Sequence, residues 1–289
     1  MCNCTQSFDN GQLYTWCTNC GNYGIHAALK RALTEENLEP HNVLLCFDIG
    51  CHGNGADKIE GYTTHGLHGR VLPFAAGAAI ANNNLKVLAF GGDGGTLSEG
   101  ISHLIHSIRA NYNVTFVLHD NSNYALTTGQ ASSTTRENVP MNSSPYGVTS
   151  DPLKTMEMVL ALDPSFAARA FSGNVKHTTE VLRKAINHKG FSFVEILQSC
   201  PTYNKATTQE WYLERIYDIA EDINYNVNDL NEAKRVALDL ENKIATGVLY
   251  VNNSKKDFYS RLKNRGNFKT TLIDEVENFT ISKLLQNFI

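Results

Sequence analysis

Two short polar stretches carry residues whose types suit a charged ligand. Gly91-Gly92-Asp93-Gly94-Gly95 sets one carboxylate among glycines, and His119-Asp120-Asn121-Ser122-Asn123 sets another beside carboxamides. Glycines let backbone N–H groups approach an anion closely, and a helix N-terminus behind them favours negative charge. A carboxylate from Asp93 and an amide oxygen from Asn121 can hold a hard cation whose remaining shell is diphosphate oxygen. Mg²⁺ is commonly bound in this way, by few protein ligands plus phosphate. Asp, Asn and Gly are also ordinary turn residues, and GDG alone reads as a plain turn. The two stretches together favour the diphosphate–Mg²⁺ site.

Cysteines form a second set. Cys17 and Cys20 make a C-x-x-C in WCTNCG, Cys51 lies in DIGCHGNG, and Cys200 lies in LQSCPTYN. A lone C-x-x-C admits a redox dithiol, half a zinc site or half an iron–sulfur site. Cys51 and Cys200 each fall just past an apolar strand, where loops of an α/β sheet converge, so four thiolates can meet. Tetrahedral sulfur suits Zn²⁺ or iron–sulfur, and the spacing leaves both open. Cys2 and Cys4 read as incidental thiols near the terminus, and Cys46, inside VLLCFDI, as a small buried hydrophobe.

These residues need a frame to hold them. Val87–Phe90 and Val114–Leu118 read as short apolar strands, and Ile101–Arg109 places Ile101, Leu104, Ile105 and Ile108 on one helix face. Strand, glycine turn, helix, strand is a βαβ unit, and ligands of such units sit at the carboxyl ends of the strands. Both polar stretches therefore face one crevice. Val43–Ile49, Phe166–Phe171 and Phe191–Leu197 read as further strands, with helices over Ile25–Leu33, Ala75–Ala81, Leu153–Leu162 and Thr178–His188. Thr63–Gly69 reads as a loop bearing His65, taken as structural, and His68. Met141–Ser150 reads as a polar loop, and Glu195, inside a strand, as structural. From Thr207 onward, Trp211–Ile223, Leu230–Ala245, Asp257–Leu262 and Asp274–Phe288 read as helices, with a short strand over Gly247–Val251.

The chain has 289 residues, 42% hydrophobic and 19% charged, enough for one large α/β domain with an appendage. A net charge of −4 gives no reason to expect nucleic acid as a partner. No apolar run is long enough for a membrane span, and the first residues lack a secretory pattern. A cytoplasmic protein is expected, so the seven cysteines read as metal ligands or free thiols rather than disulfides.

GGDG followed by DN at the next strand end resembles the thiamine diphosphate motif. WCTNCG, IGC, HGLHGRVLPFAAG, NYALTTGQASSTT and SCPTYN resemble elements of the β subunit of 2-oxoacid:ferredoxin oxidoreductases, the pyruvate and 2-oxoglutarate enzymes. The resemblance covers about the first two-thirds of the chain, to Asn204. It implies a thiamine diphosphate-binding fold of the diphosphate-binding type: α/β, with a mostly parallel sheet flanked by helices and a C-terminal extension. The implied organisation is an N-terminal arm over 1–16, the cofactor domain over 17–206, and a helical, partner-contacting extension over 207–289.

The resemblance also implies the site. Asp93, Asn121 and the backbone carbonyl of Asn123 would ligate Mg²⁺, and Gly94 and Gly95 would offer N–H groups to the diphosphate. Ile49, Gly50, Cys51, His52, Ala125, Leu126 and Thr127 would line the cofactor. His68 would donate a hydrogen bond to a phosphate or a developing oxyanion, and Arg70 would sit beside it or in a structural ion pair. Cys17, Cys20, Cys51 and Cys200 would hold one [4Fe–4S] cluster. The implied reaction is decarboxylation of a 2-oxoacid with coenzyme A, electrons passing to ferredoxin. The implied partner is a separate α (or fused γ–α) chain forming a heterodimer. Two departures stand out: Gly95 replaces a usual second Asp, and Thr128 replaces a frequent lysine that could pair with the distal carboxylate of 2-oxoglutarate. A non-oxidative decarboxylase subunit with zinc, and an iron–sulfur electron-carrier module, are the competing readings.

Overall fold

The computed structural model describes residues 8–263, 265, 270–277, 281–286 and 288. Cys2 and Cys4 lie outside the described residues. In chain order the elements are α1 (Asn22–Glu35), β1 (Val43–Phe47), β2 (Tyr62–His65), α2 (Val71–Ala81), β3 (Lys86–Gly92), α3 (Ile101–Ala110) and β4 (Thr115–Asp120). They continue as α4 (Thr155–Ala161), β5 (Phe166–Phe171), α5 (Val175–Asn187), β6 (Ser192–Leu197), α6 (Gln209–Leu213), β7 (Ile216–Asp218) and α7 (Leu230–Ala237). The last are β8 (Ile244–Val251), α8 (Leu272–Glu277) and α9 (Ile281–Leu285).

Among the described residues the strands form one eight-stranded sheet in the order β2-β1-β3-β4-β6-β5-β8-β7. From β2 to β5 every pairing is parallel, and β8 joins β5 antiparallel. Parallel strands are covered on both faces, which is why VLLCF and TFVLHD are buried throughout. One face packs on α2, α3, α4 and α7 and the other on α1 and α5. Phe116 and Phe193, fully buried on the first face, each stabilise the fold by roughly 1.5–3 kcal/mol. The ends of β1, β3 and β4 thus deliver three loops to one side of the sheet.

The expected strands and helices of the first two-thirds are present, with shifted ends. Val43–Ile49 stops at Phe47, and Val114–Leu118 runs on to Asp120, so His119 and Asp120 are strand residues rather than loop. Thr63–His65, expected in a loop, belongs to β2, where parallel pairing with β1 outweighs the polar composition. The arm is not wholly detached. Phe8 is 1% exposed in the core beside α1, its carbonyl accepts the Glu60 N–H at 3.0 Å, and Tyr14 stacks on Trp16 at 4.7 Å. The aromatic residues of that polar string find the core.

The extension is not only helical. Trp211–Ile223 resolves into the short α6, then β7 and a 3-10 turn at Ile219–Glu221. Leu230–Ala245 ends as a helix at Ala237, and Ile244 and Ala245 begin β8. Asp257–Leu262 holds only a 3-10 turn at Tyr259–Arg261; of Asp274–Phe288, the part to Glu277 lies in α8 and Ile281–Leu285 is α9, while residues 278–280 and 287 lie outside the described residues. β-branched residues at 244, 246 and 248 suit an extended chain, and the open edge of β5 supplies hydrogen-bond partners.

Candidate active site

Loops after β1, β3 and β4 enclose a cavity of about 320 Å³. Its wall includes Ile49, Gly50, Cys51 and His52 from the first loop, Asp93, Gly94 and Gly95 from the second, and Asn121, Asn123, Ala125, Leu126 and Thr127 from the third. His68 reaches it from the β2–α2 connection. The volume falls at the lower end of small-molecule sites.

Asp93 is 1% exposed, and its Oδ2 accepts the Thr134 hydroxyl at 3.0 Å. The same hydroxyl lies 2.8 Å from Asp120 Oδ1. Burial pushes the Asp93 carboxyl up to about 6. Burial, then the charges of Asp93 and Glu195, push Asp120 well above the usual carboxylate range. Two buried carboxylates with little compensating charge are what a cation would relieve. Asn121 Oδ1 accepts the Asn123 N–H at 3.1 Å, and its backbone carbonyl is held by Asn123 Nδ2 and Asn204 Nδ2 at 2.8 and 3.1 Å. Ser122, between the two amides, has φ 56°, a left-handed turn that swings the chain back on itself. Asn123 Oδ1 is buried without a partner. This donor set fits Mg²⁺ with a diphosphate.

Gly95 closes the other side. A Cβ there would lie 2.6 Å from Asp48 Oδ2 and 3.0 Å from His68 Nε2, so an aspartate at this position would require both to shift. His68 Nε2 therefore faces the glycine corner, while its Nδ1 lies 3.5 Å from Glu99 Oε2. Glu99 also accepts the Tyr124 hydroxyl at 3.1 Å. Asp48 accepts the N–H of Ile49 at 2.8 Å and of Gly69 at 2.8 and 3.0 Å, tying the His68 loop to the end of β1. Arg70 is exposed and donates to the backbone carbonyls of Gly69 and Glu99, so it takes no part in the cavity wall.

The four cysteines gather beside the cavity. Burial pushes the Cys51 thiol up to about 12, helped by Cys20, Cys200 and Cys17 in that order. Cys20 is raised by burial and also by Cys200 and Cys17. All four are free, grading from the exposed Cys17 to the buried Cys200. Among the described residues no three His, Cys, Asp or Glu side chains converge on one ion-sized point. The thiols influence one another and form a soft donor set that fits iron–sulfur chemistry. Cys51 belongs to both groups. Cys46 is fully buried in β1, as expected, and burial raises it to about 11. Glu195 is 2.6 Å from Arg169 Nε in a buried pair, the structural role expected of it.

Comparison with known proteins gives a consistent picture. Residues 48–196 match the family described as thiamine pyrophosphate enzyme, C-terminal TPP binding domain. Residues 200–266 match the family for the C terminal part of the pyruvate ferredoxin oxidoreductase beta chain. The 2-oxoacid:ferredoxin oxidoreductase 1, subunit beta, of Aeropyrum pernix is 38% identical over 86% of this chain and 81% of its own length. This chain belongs to the 2-oxoacid:ferredoxin oxidoreductase β-subunit family. The subunit beta from Saccharolobus solfataricus is 33% identical over 86% of both chains. A solved 2-oxoglutarate:ferredoxin oxidoreductase from Magnetococcus marinus, with 2-oxoglutarate, coenzyme A and succinyl-CoA bound, aligns at TM-score 0.86 and 32% identity over 94% of each chain.

In this β subunit most of the cavity wall is legible in the sequence, but its supports are not. Asp48, Glu99 and Thr134 hold the wall in place, and Tyr124, itself part of the wall, donates to Glu99; Asp48 and Glu99 sit in ordinary polar contexts. Thr134 carried a weak signal: it lies in the ASSTT run that follows the DN strand end. Among the described residues no helix is long and apolar enough to cross a membrane.

Proposed function

We propose that this β subunit oxidatively decarboxylates a 2-oxoacid with coenzyme A, together with an α or fused γ–α chain, and delivers the electrons to ferredoxin. Cys51 carries the reading: it lines the cavity of the Asp93 and Asn121 corner and also interacts with Cys17, Cys20 and Cys200. Binding chemistry and electron chemistry therefore share one wall.

When bound, thiamine diphosphate supplies the electron sink for decarboxylation, and a [4Fe–4S] cluster carries electrons away singly. Asp93, Asn121 and the Asn123 carbonyl would hold Mg²⁺, with Gly94 and Gly95 against the diphosphate. Ile49, Gly50, His52, Ala125, Leu126 and Thr127 would exclude water from the cofactor. His68, oriented by Glu99, would present Nε2 as a donor. Cys17, Cys20, Cys51 and Cys200 would bind the cluster. The carboxylate that activates the aminopyrimidine ring would come from the partner. Leu213, Ile223 and Leu238, 52%, 95% and 46% exposed, support a partner-facing role for residues 207–289. Free thiols suit the cytoplasm.

Thr128 is exposed and offers no cation to a second carboxylate, so pyruvate-like acids are expected ahead of 2-oxoglutarate. The test is anaerobic co-purification with the partner chain, analysis for iron, sulfide, magnesium and thiamine diphosphate, and a panel of 2-oxoacids with coenzyme A and ferredoxin. About four irons and four sulfides per β chain are expected for the cluster. A colourless, zinc-containing complex that decarboxylates without reducing ferredoxin would overturn the reading.

A further inference from the structure

Gln198 is 1% exposed and touches both corners of the site. Its Nε2 donates to Cys20 Sγ at 3.7 Å, within reach for the large sulfur atom. Its backbone N–H donates to the Asp120 carbonyl at 2.8 Å, one residue before Asn121. Gly21 makes the approach possible, because a Cβ there would lie 2.5 Å from Gln198 Cγ. A carboxamide can present either end, but its oxygen would be repelled by a thiolate, so the N–H end belongs at Cys20.

The surroundings offer that sulfur a second donor. The Asn22 N–H also acts on Cys20, and Asn22 Oδ1 is 3.0 Å from His119 Nδ1. The His119 ring lies 5.1 Å from His52, which lines the cavity. Both imidazoles are buried and held neutral by desolvation, so they add no charge between the corners. Gln198 is thus a buried side chain donating to a cysteine sulfur.

We infer that the Gln198 amide tunes the reduction potential of the four-cysteine centre by donating an N–H to Cys20. The inference rests on the cluster reading above. Accepting one electron adds one negative charge to cluster and thiolates, with no bond made or broken. A donor on a thiolate favours that more negative state, and burial strengthens the effect. Gln198 acts through Cys20 and is therefore a positioning residue.

The test is a redox titration, followed by electron paramagnetic resonance, of the anaerobic complex with its partner: wild type, Gln198→Met and Gln198→Glu. Met removes the donor and keeps the length; Glu keeps the shape and replaces the amide by an acid. At a fixed ambient potential the reduced-to-oxidised ratio is expected to fall about tenfold in Gln198→Met, equivalent to 59 mV for one electron. In Gln198→Glu it is expected to fall at high pH, where the new carboxyl is ionised, and to return towards wild type at low pH, where its O–H can donate, with iron, sulfide and thiamine diphosphate content unchanged. If Gln198→Met does not assemble, a negative shift at high pH in Gln198→Glu alone supports the inference. Wild-type potentials at high pH in cluster-bearing variants overturn it, and so does loss of the cluster from both, which would make the amide a folding determinant. A wild-type complex lacking iron and sulfide would overturn the cluster reading and this inference together, an outcome separate from equal potentials.

Discussion

Asp93 and Asn121 stand at the ends of adjacent strands β3 and β4, joined by one helix, whereas Cys17, Cys51 and Cys200 arrive on three loops from far apart in the chain. In the carboxylate corner Thr134 holds Asp93 and the Asn123 N–H holds Asn121, while Asn123 Oδ1 is left without a partner. In the thiol corner the sulfurs influence one another, but burial keeps Cys20 and Cys51 in their neutral forms. The first corner is organised by its own supersecondary unit. The second is assembled by the whole sheet and needs its metal to deprotonate it. The two should therefore fail separately when their ligands are removed, despite the shared wall at Cys51.

The largest effect is expected at Asp93. Asp93→Ala should abolish Mg²⁺-dependent thiamine diphosphate binding, read by calorimetry on the complex, and lower turnover at least about 1,000-fold. Iron and sulfide content should stay at the wild-type level; their loss would mean that the corners are not independent. Cys200→Ser is the reverse cut. It should remove most iron and sulfide and ferredoxin reduction, while thiamine diphosphate affinity changes by less than about threefold, under 1 kcal/mol. Comparable loss of cofactor affinity would merge the two corners into one unit.

Thr134→Val sharpens the comparison, because it removes only the hydroxyl between Asp93 and Asp120. Supports of metal ligands are typically worth 10–100-fold in affinity, and a Mg²⁺ titration should show a loss of about that size, with Thr134→Ser near wild type. An unchanged Mg²⁺ affinity in the valine variant would leave the hydroxyl without a role in the corner.

The smallest expected effect is with pH. Burial raises Asp93 to about 6, above its unfolded value near 3.8. The folded metal-free chain then binds more protons than the unfolded chain between those values, so this group lowers stability as pH rises from about 4 to 6. Mg²⁺ requires the ionised form. Below about pH 6 its apparent affinity should fall by up to tenfold per pH unit, and thermal melts with and without Mg²⁺ and thiamine diphosphate should converge. Iron content over the same range should not track this curve. A melt difference that stays constant from pH 5 to 7 would contradict the assignment of Asp93 to the metal.

The sequence by itself determined the parallel sheet and the two polar strand ends that face one cavity. Apolar runs such as VLLCF of β1 and the FVL centre of β4 need burial on both faces, and glycines and amides at the strands' carboxyl ends mark the ligand edge. Only the tertiary structure decided what holds that edge in place. Asp48, Glu99, Tyr124 and Thr134 work through hydrogen bonds to residues distant in the chain, which no local pattern encodes. The same is true of Ile244 and Ala245, expected at the end of a helix but drawn into β8 because the free edge of β5 could be paired; the rest of that strand, Gly247–Val251, was legible as a strand. It is true also of Gln198, an ordinary polar residue in LQSCP until the fold sets its amide against Cys20. Local chemistry sets which groups are available; long-range pairing and burial set which of them meet.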